Sequence, residues 1–422
     1  MEVPRPTLEI LERTRRGEAL DPADVVALVN AWATGAASDA QMSAWCATAG
    51  ISGVPADTAL SLSEALLGGG DRLELASLGP TADIRSAGGV GDSALVFAAS
   101  ATAASLGVIV ASTGVRGMSH VGGILDALEA IPGMRPELTL EEYVLQVRDF
   151  GIVIAEAGDS LVPGERRLAD LRESTATAEG DVLVAVSAAV RAVSGGAGHI
   201  VLEVPAGRGS LLPDADHAAL AGDLVVRLCS QWHRTATVFP VVRAEPLAGV
   251  SGHALEIAAA FAVLRGDGDS GLTERVVALA GAAAEATGVA DDGPGAAAAA
   301  LADGRAFATA RRWIEAQGGD PEVVGDPAGL VQPLIIRDVL APRGGRVSRV
   351  DAGVVGVATR WLGAGRLDPD QVVDPAVGVR VIARTGDVVE AGDVLGEIHA
   401  SDDWLAGRAE DLLADAWVIV DD

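Results

Sequence analysis

Asp83-Ile84-Arg85-Ser86-Ala87-Gly88-Gly89-Val90-Gly91-Asp92 runs straight into an uncharged stretch from Ser93 to Val115, which Gly107 divides into an alanine-rich half and a β-branched half containing Val108-Ile109-Val110. The stretch is long enough to cross a bilayer, but it carries several Ser and Thr residues, and its two halves have different periodicities. It reads as a buried helix followed by a central strand. Clustered glycines let a backbone approach a ligand closely, and the helix that follows offers free amides and a positive dipole end to an anion. A second run, Ser112-Thr113-Gly114-Val115-Arg116-Gly117-Met118-Ser119-His120-Val121-Gly122-Gly123, leads into a segment carrying Asp126 and Glu129. Either run alone is equally a tight turn. Two of them at neighbouring strand ends would line one crevice.

Outward from these loops the pattern holds. Ile152-Val153-Ile154 and Ile200-Val201-Leu202 repeat the β-branched run between alanine-rich helical segments, which predicts an α/β unit with parallel strands. From Thr7 to Gly70 the apolar spacing is helical, with Asp21-Pro22 and Asp39 placed to start helices. Gly281 to Gly304 reads as a helix pair. After Gln332, short strands at Val347 to Val350, Val379 to Ile382 and Val394 to Ile398 alternate with glycine turns, and Trp404 to Trp417 reads as a closing helix. The fold class expected is α/β with a small all-α domain and a β-rich C-terminal domain.

Composition narrows the function. The chain has 422 residues, 49% of them hydrophobic, which is enough for several cores. Its 59 acidic against 31 basic residues give a net charge of −28, a field that repels nucleic acid and anionic lipid, so neither is an expected partner. There is no lysine, which excludes a pyridoxal Schiff base and a Walker-type phosphate loop. Cys46 and Cys229 lie far apart with no metal-ligand spacing, and the start Met1-Glu2-Val3-Pro4-Arg5-Pro6 has no apolar signal region. A reducing cytoplasm fits, and no metal or cofactor is expected.

The two glycine runs resemble those of the pyrimidine-nucleoside phosphorylases, thymidine phosphorylase among them, whose first loop reads D-K-H-S-T-G-G-V-G-D. The second resembles G-R-G-x-x-H-T-G-G-T-x-D-x-L-E-x-I-P-G and continues here to Asp126, Leu128-Glu129 and Ile131-Pro132-Gly133. Further matches are Arg166 to Thr177, Trp361-Leu362-Gly363-Ala364-Gly365-Arg366 and Asp374-Pro375-Ala376-Val377-Gly378. The likeness is collinear over nearly the whole chain. It implies a nucleoside phosphorylase/phosphoribosyltransferase-like architecture. Residues 1–75 would form a helical dimerisation domain to which about 163–195 return, with an α/β domain over 76–335 and a β-rich domain over 336–422. The implied ligand is a pyrimidine nucleoside or nucleotide, the implied assembly a homodimer, and the implied reaction a pentosyl transfer.

The resemblance assigns the pyrimidine base to Arg172, Ser187 and Arg191, the last two sharing a helix face. Arginine donors there would stabilise charge on a departing base. The phosphate half departs from the pattern. The family's lysine is Ile84, its neighbouring histidine Arg85, its hydroxyls Leu95, Gly114 and Val121, and a second lysine Ser112, with only Ser86 in place. Each lost hydrogen bond to a charged group costs roughly 1.5–3 kcal/mol, so phosphate affinity should fall by on the order of four decades. Water, a carboxylate or a sugar-like nucleophile is expected as acceptor instead. Ser86, Gly88, Gly89, Asp92, Arg116 and Ser119 are the expected loop contacts, and His120 and Arg85 the candidate catalytic groups. His120 is equally readable as an imidazole bonding a loop carbonyl. His199, His217, His233, His253 and His399 read as structural or solvent-facing. The alternative to an enzyme is a homologue that binds a nucleoside without turning it over.

Overall fold

Four helices open the chain: α1 (Thr7–Arg15), α2 (Pro22–Ala33), α3 (Asp39–Ser52) and α4 (Thr58–Leu67). The computed structural model describes residues 5–18, 20–114, 116–117, 121–158, 161–367 and 371–421. The cap of α3 is Ser38, not Asp39. The Ser38 hydroxyl accepts from the Gln41 amide, and Gln41 Oε1 accepts the Ser38 N–H at 2.9 Å. Asp39 instead accepts from Trp32 Nε1 and from Arg167, both at 2.7 Å. Asp21 does stand at the start of α2, but its carboxylate pairs with Arg5 at 2.6 Å rather than with a helix amide.

The α/β part follows as β1 (Thr81–Ser86), α5 (Asp92–Ser105), β2 (Ile109–Thr113), α6 (Ile124–Leu128), β3 (Glu137–Leu138), α7 (Leu140–Phe150) and β4 (Ile152–Ala157). It continues through α8 (Pro163–Ser174), α9 (Asp181–Ser194), β5 (His199–Ala206), α10 (Ala215–Gln231) and β6 (Thr235–Val242). The six strands form one parallel sheet in the order β3-β4-β2-β1-β5-β6. The uncharged stretch thus becomes α5 and β2, and the loops after β1 and β2 leave the same edge of the sheet side by side. Period-two alternation divides the core: in β4, Val153 and Ala155 face the opening helices with α8 to α10, whereas Ile152 and Ile154 face α5 and the helices that come later. Helices α8 and α9 pack on α4.

On that second face lie α11 (His253–Arg265), α12 (Ser270–Ala286), α13 (Gly293–Ala302) and α14 (Arg305–Ala316). The strands β7 (Val250–Ser251), β8 (Ile335–Leu340), β9 (Gly345–Val350), β10 (Gly378–Val381), β11 (Val388–Val389), β12 (Val394–Ala400) and β13 (Trp417–Val420) make two sheets, β7-β10-β12-β8 and β11-β9-β13. All of their strand pairs are antiparallel. This region is less purely β than expected. It holds α15 (Ala352–Thr359), whose Asp351 carboxylate caps two amides, and α16 (Asp403–Leu413), which stops short of Trp417 because that residue opens β13. Cys46 and Cys229 are buried thiols without a disulfide. Among the described residues no helix is long and apolar enough to cross a membrane.

Candidate functional site

A cavity of about 110 Å³ opens at the carboxyl ends of β1 and β2. Its walls are the first glycine loop, the start of α5, the second glycine loop, one face of α9, and His253 and Glu256 of α11. The α9 face is Val184, Ser187, Ala188 and Arg191, the spacing of one helical stripe. Gly91 takes φ 92° beneath the Leu247 backbone, where a Cβ would stand 2.7 Å from the Leu247 carbonyl oxygen. Only glycine fits that approach.

Of the residues expected from sequence, Arg85, Ser86, Gly88, Gly89, Asp92, Ser187 and Arg191 line this cavity. Arg85 is already engaged: its Nε donates to Asp83 at 3.0 Å, and its Nη2 donates to Asp83 and to the Thr113 carbonyl. Ser112 donates to the other Asp83 oxygen at 2.8 Å. The Ser86 hydroxyl donates to Asp92, and its oxygen accepts the Gly88 N–H at 3.3 Å. Asp92 also pairs with Arg243, which pairs with Glu203, and Glu203 accepts from Arg275 Nε at 2.5 Å. Arg191 donates from Nε to the Ser187 carbonyl at 3.1 Å and lies 3.3 Å from the buried Glu165.

Two expected contacts stand elsewhere. Arg172 is fully buried outside the cavity wall, and its donors go to the carbonyls of Thr177, Ala178 and Leu183 and, at 3.0 Å, to Ser187 Oγ. A desolvated guanidinium must satisfy its N–H groups, and the turn after α8 offers carbonyls within reach. Burial draws its pKa down to about 10. It therefore touches the site only through Ser187. Arg116 faces a neighbouring cleft, bonded to Glu129 at 2.8 Å and Glu137 at 2.7 Å, because three carboxylates compete for it there, Asp126 being the third at 3.5 Å. Ser119 and His120 lie outside the described residues.

Two further residues line the cavity without having been expected there. His253, expected to be structural or solvent-facing, is buried in the wall; its Nε2–H donates to the Ala364 carbonyl at 2.7 Å, and burial lowers its pKa against the pull of Asp126. Glu256 follows one turn later on the same face. The signal was an acid set between Leu255 and Ile257 in an otherwise apolar helix. The second loop is gripped from three directions. Asp126 accepts the Gly117 and Gly123 amides, each at 2.8 Å, and Arg366 at 2.9 Å; Arg366 also lies 3.6 Å from Glu173, whose carboxylate abuts Gly117.

Residues 8–67 match the helical bundle domain of a glycosyl transferase family, residues 78–307 its a/b domain, and residues 346–420 a pyrimidine nucleoside phosphorylase C-terminal domain. The chain is 31% identical over 398 residues to a pyrimidine-nucleoside phosphorylase of Geobacillus stearothermophilus, covering 93% of this chain and 92% of the relative. It is 30% identical over 421 residues to a thymidine phosphorylase of Burkholderia cenocepacia, covering 98% and 96%. The anthranilate phosphoribosyltransferase of Thermus thermophilus superposes with a TM-score of 0.56 at 19% identity, over 73% of this chain and 98% of that one, a likeness of fold.

Proposed function

The chain belongs to the pyrimidine-nucleoside phosphorylase family, and from that premise we propose that it cleaves or transfers the N-glycosidic bond of a pyrimidine nucleoside to an acceptor other than phosphate. The observation that carries this reading is the inventory of donors in the acceptor half of the cavity. Ile84 is a buried methylated wall, and Leu95, on α5, is buried in the core rather than turned to the cavity. Gly114 packs directly under Leu125, where an added Cβ would stand 2.5 Å from that side chain, and it offers no hydroxyl. Of the polar side chains that do remain, Arg85 and Ser112 are bonded to Asp83, Ser86 to Asp92, Thr113 to the Arg191 carbonyl and Ser93 to Glu256. A phosphate dianion placed there would meet apolar walls and two carboxylates, and would lose its hydration without replacement. The leaving-group half is better provided: the buried Ser187 and the half-buried Arg191 lie on one helix face, where a guanidinium stabilises negative charge on the departing pyrimidine.

The test is to incubate the protein with uridine, thymidine, cytidine and their monophosphates, with and without phosphate, and to follow free base. Release that is independent of phosphate is the expected result. Release that requires phosphate overturns this account of the acceptor half, and tight binding with no release favours a homologue that only binds its nucleoside.

A further inference from the structure

Two carboxyl groups meet at the amino end of α5, and they are supported differently. Asp92 pairs with Arg243 and accepts the Ser86 hydroxyl. Glu256 is 4% exposed; its Oε2 accepts the Ser93 N–H at 3.0 Å and its Oε1 the Gly252 N–H at 3.2 Å. Among the described residues no guanidinium or imidazole pairs with it. The charges on the elements packed against α11 are turned to other partners: Asp126 of α6 to Arg366, Arg380 of β10 to Glu397, and Glu322 of the turn 321–324 to Arg311. Helix α14 carries its charges on exposed or half-exposed positions, and β7 and α13 carry none. On α11 itself, His253 gives its Nε2–H to Ala364. Burial therefore raises the Glu256 carboxyl to about 7, the two amides and the Ser93 hydroxyl partly opposing and Asp92 reinforcing the shift. Two carboxyl groups at one site with unequal support is the arrangement from which acid and base roles are drawn.

We propose that Glu256 is the proton acceptor for the nucleophile that replaces phosphate and that this nucleophile is water, which makes the chain a pyrimidine-nucleoside hydrolase. This rests on the functional reading above and deepens it. Phosphate reacts as an anion and needs donors to hold it but no base. Water is neutral, needs few donors, and becomes a competent nucleophile only as its proton is taken. The cavity is poor in the first provision and holds the second. In the step, the water oxygen bonds to the sugar C1′, one water proton passes to the Glu256 carboxylate, and the C1′–N1 bond breaks with its electron pair leaving on the pyrimidine beside Ser187 and Arg191. Glu256 then returns the proton to the base anion through solvent, and free sugar and free pyrimidine result. Asp92, fixed by Arg243, supplies a carboxylate near the ring as positive charge develops at C1′.

The experiment is the phosphate-free release of uracil from uridine between pH 5 and 9 by the wild type, Glu256→Gln and Glu256→Asp, with folding followed by circular dichroism. The wild-type rate should rise with pH to a plateau above about 7 as Glu256 ionises. Glu256→Gln should lose about 10²-fold or more of that rate and the rise itself, while still binding uridine. Glu256→Asp, which keeps a carboxyl and covers the case in which the amide variant fails to fold, should be slower but retain the rise; a flat profile there overturns the assignment. Undiminished phosphate-free release by Glu256→Gln overturns Glu256 alone and leaves the phosphate-independent reading standing. Release by the wild type only with phosphate, or none under any condition, overturns both.

Discussion

At the residue scale, burial decides what a charged side chain does. Arg172 looks like a ligand-gripping arginine in the sequence, yet in the fold it ties the turn after α8 to α9. Arg172→Ala would leave the carbonyls of Thr177, Ala178 and Leu183 short of donors, at about 1–3 kcal/mol for each buried group so deprived. Arg172→Ala is therefore expected to be destabilised by about 3 kcal/mol or more, read from denaturant unfolding, and any loss of nucleoside binding to accompany that destabilisation. Glu256 gives a second prediction. Its folded pKa lies above the ordinary value of 4.5, so between about pH 4.5 and 7 the native state holds a proton that the unfolded chain has released. Stability relative to Glu256→Gln should fall as pH rises through that window, by on the order of 3 kcal/mol, and this is measurable from unfolding midpoints at pH 5 and 8.

Elements convert these residues into a site. The stripe Val184, Ser187, Ala188 and Arg191 was half legible, because Ser187 and Arg191 share a face by helical spacing whatever the rest of the chain does. The grip on the second glycine loop was not legible. Asp126, Glu173 and Arg366 come from α6, α8 and the segment after α15, and nothing in their local sequence says that they meet. Asp126→Asn should weaken that grip, replacing two ion pairs and two charge-assisted amide contacts with neutral ones. The expected outcome is a nucleoside affinity lowered about tenfold and faster amide exchange at Gly117 and Gly123, with the sheet's exchange unchanged. The cap of α3 makes the same point in small: Ser38 and Asp39 are both good caps, and the Trp32 and Arg167 side chains draw Asp39 away.

For the whole molecule, the opening helices leave Leu8 of α1 66% exposed and Ile51 of α3 89% exposed. If residues 1–75 dimerise, as the family resemblance implies, that apolar surface belongs to the interface. Sedimentation of the wild type should then give a dimer, and Ile51→Glu should shift it to monomer; an unchanged sedimentation coefficient for the variant would place the interface elsewhere.

The sequence by itself determined the parallel α/β core and the glycine loops at adjacent strand ends, since each depends on residue type and short-range spacing. Only the tertiary structure decided which charges reach the cavity. Arg172 and Arg116 turned to other acceptors, Arg243 and Glu203 joined Asp92, and among the described residues Glu256 was left without a counterion. The reason is physical: a charge seeks the nearest partner in space once water is removed, and residues as far apart as Asp92 and Arg243 become neighbours only when the chain has folded.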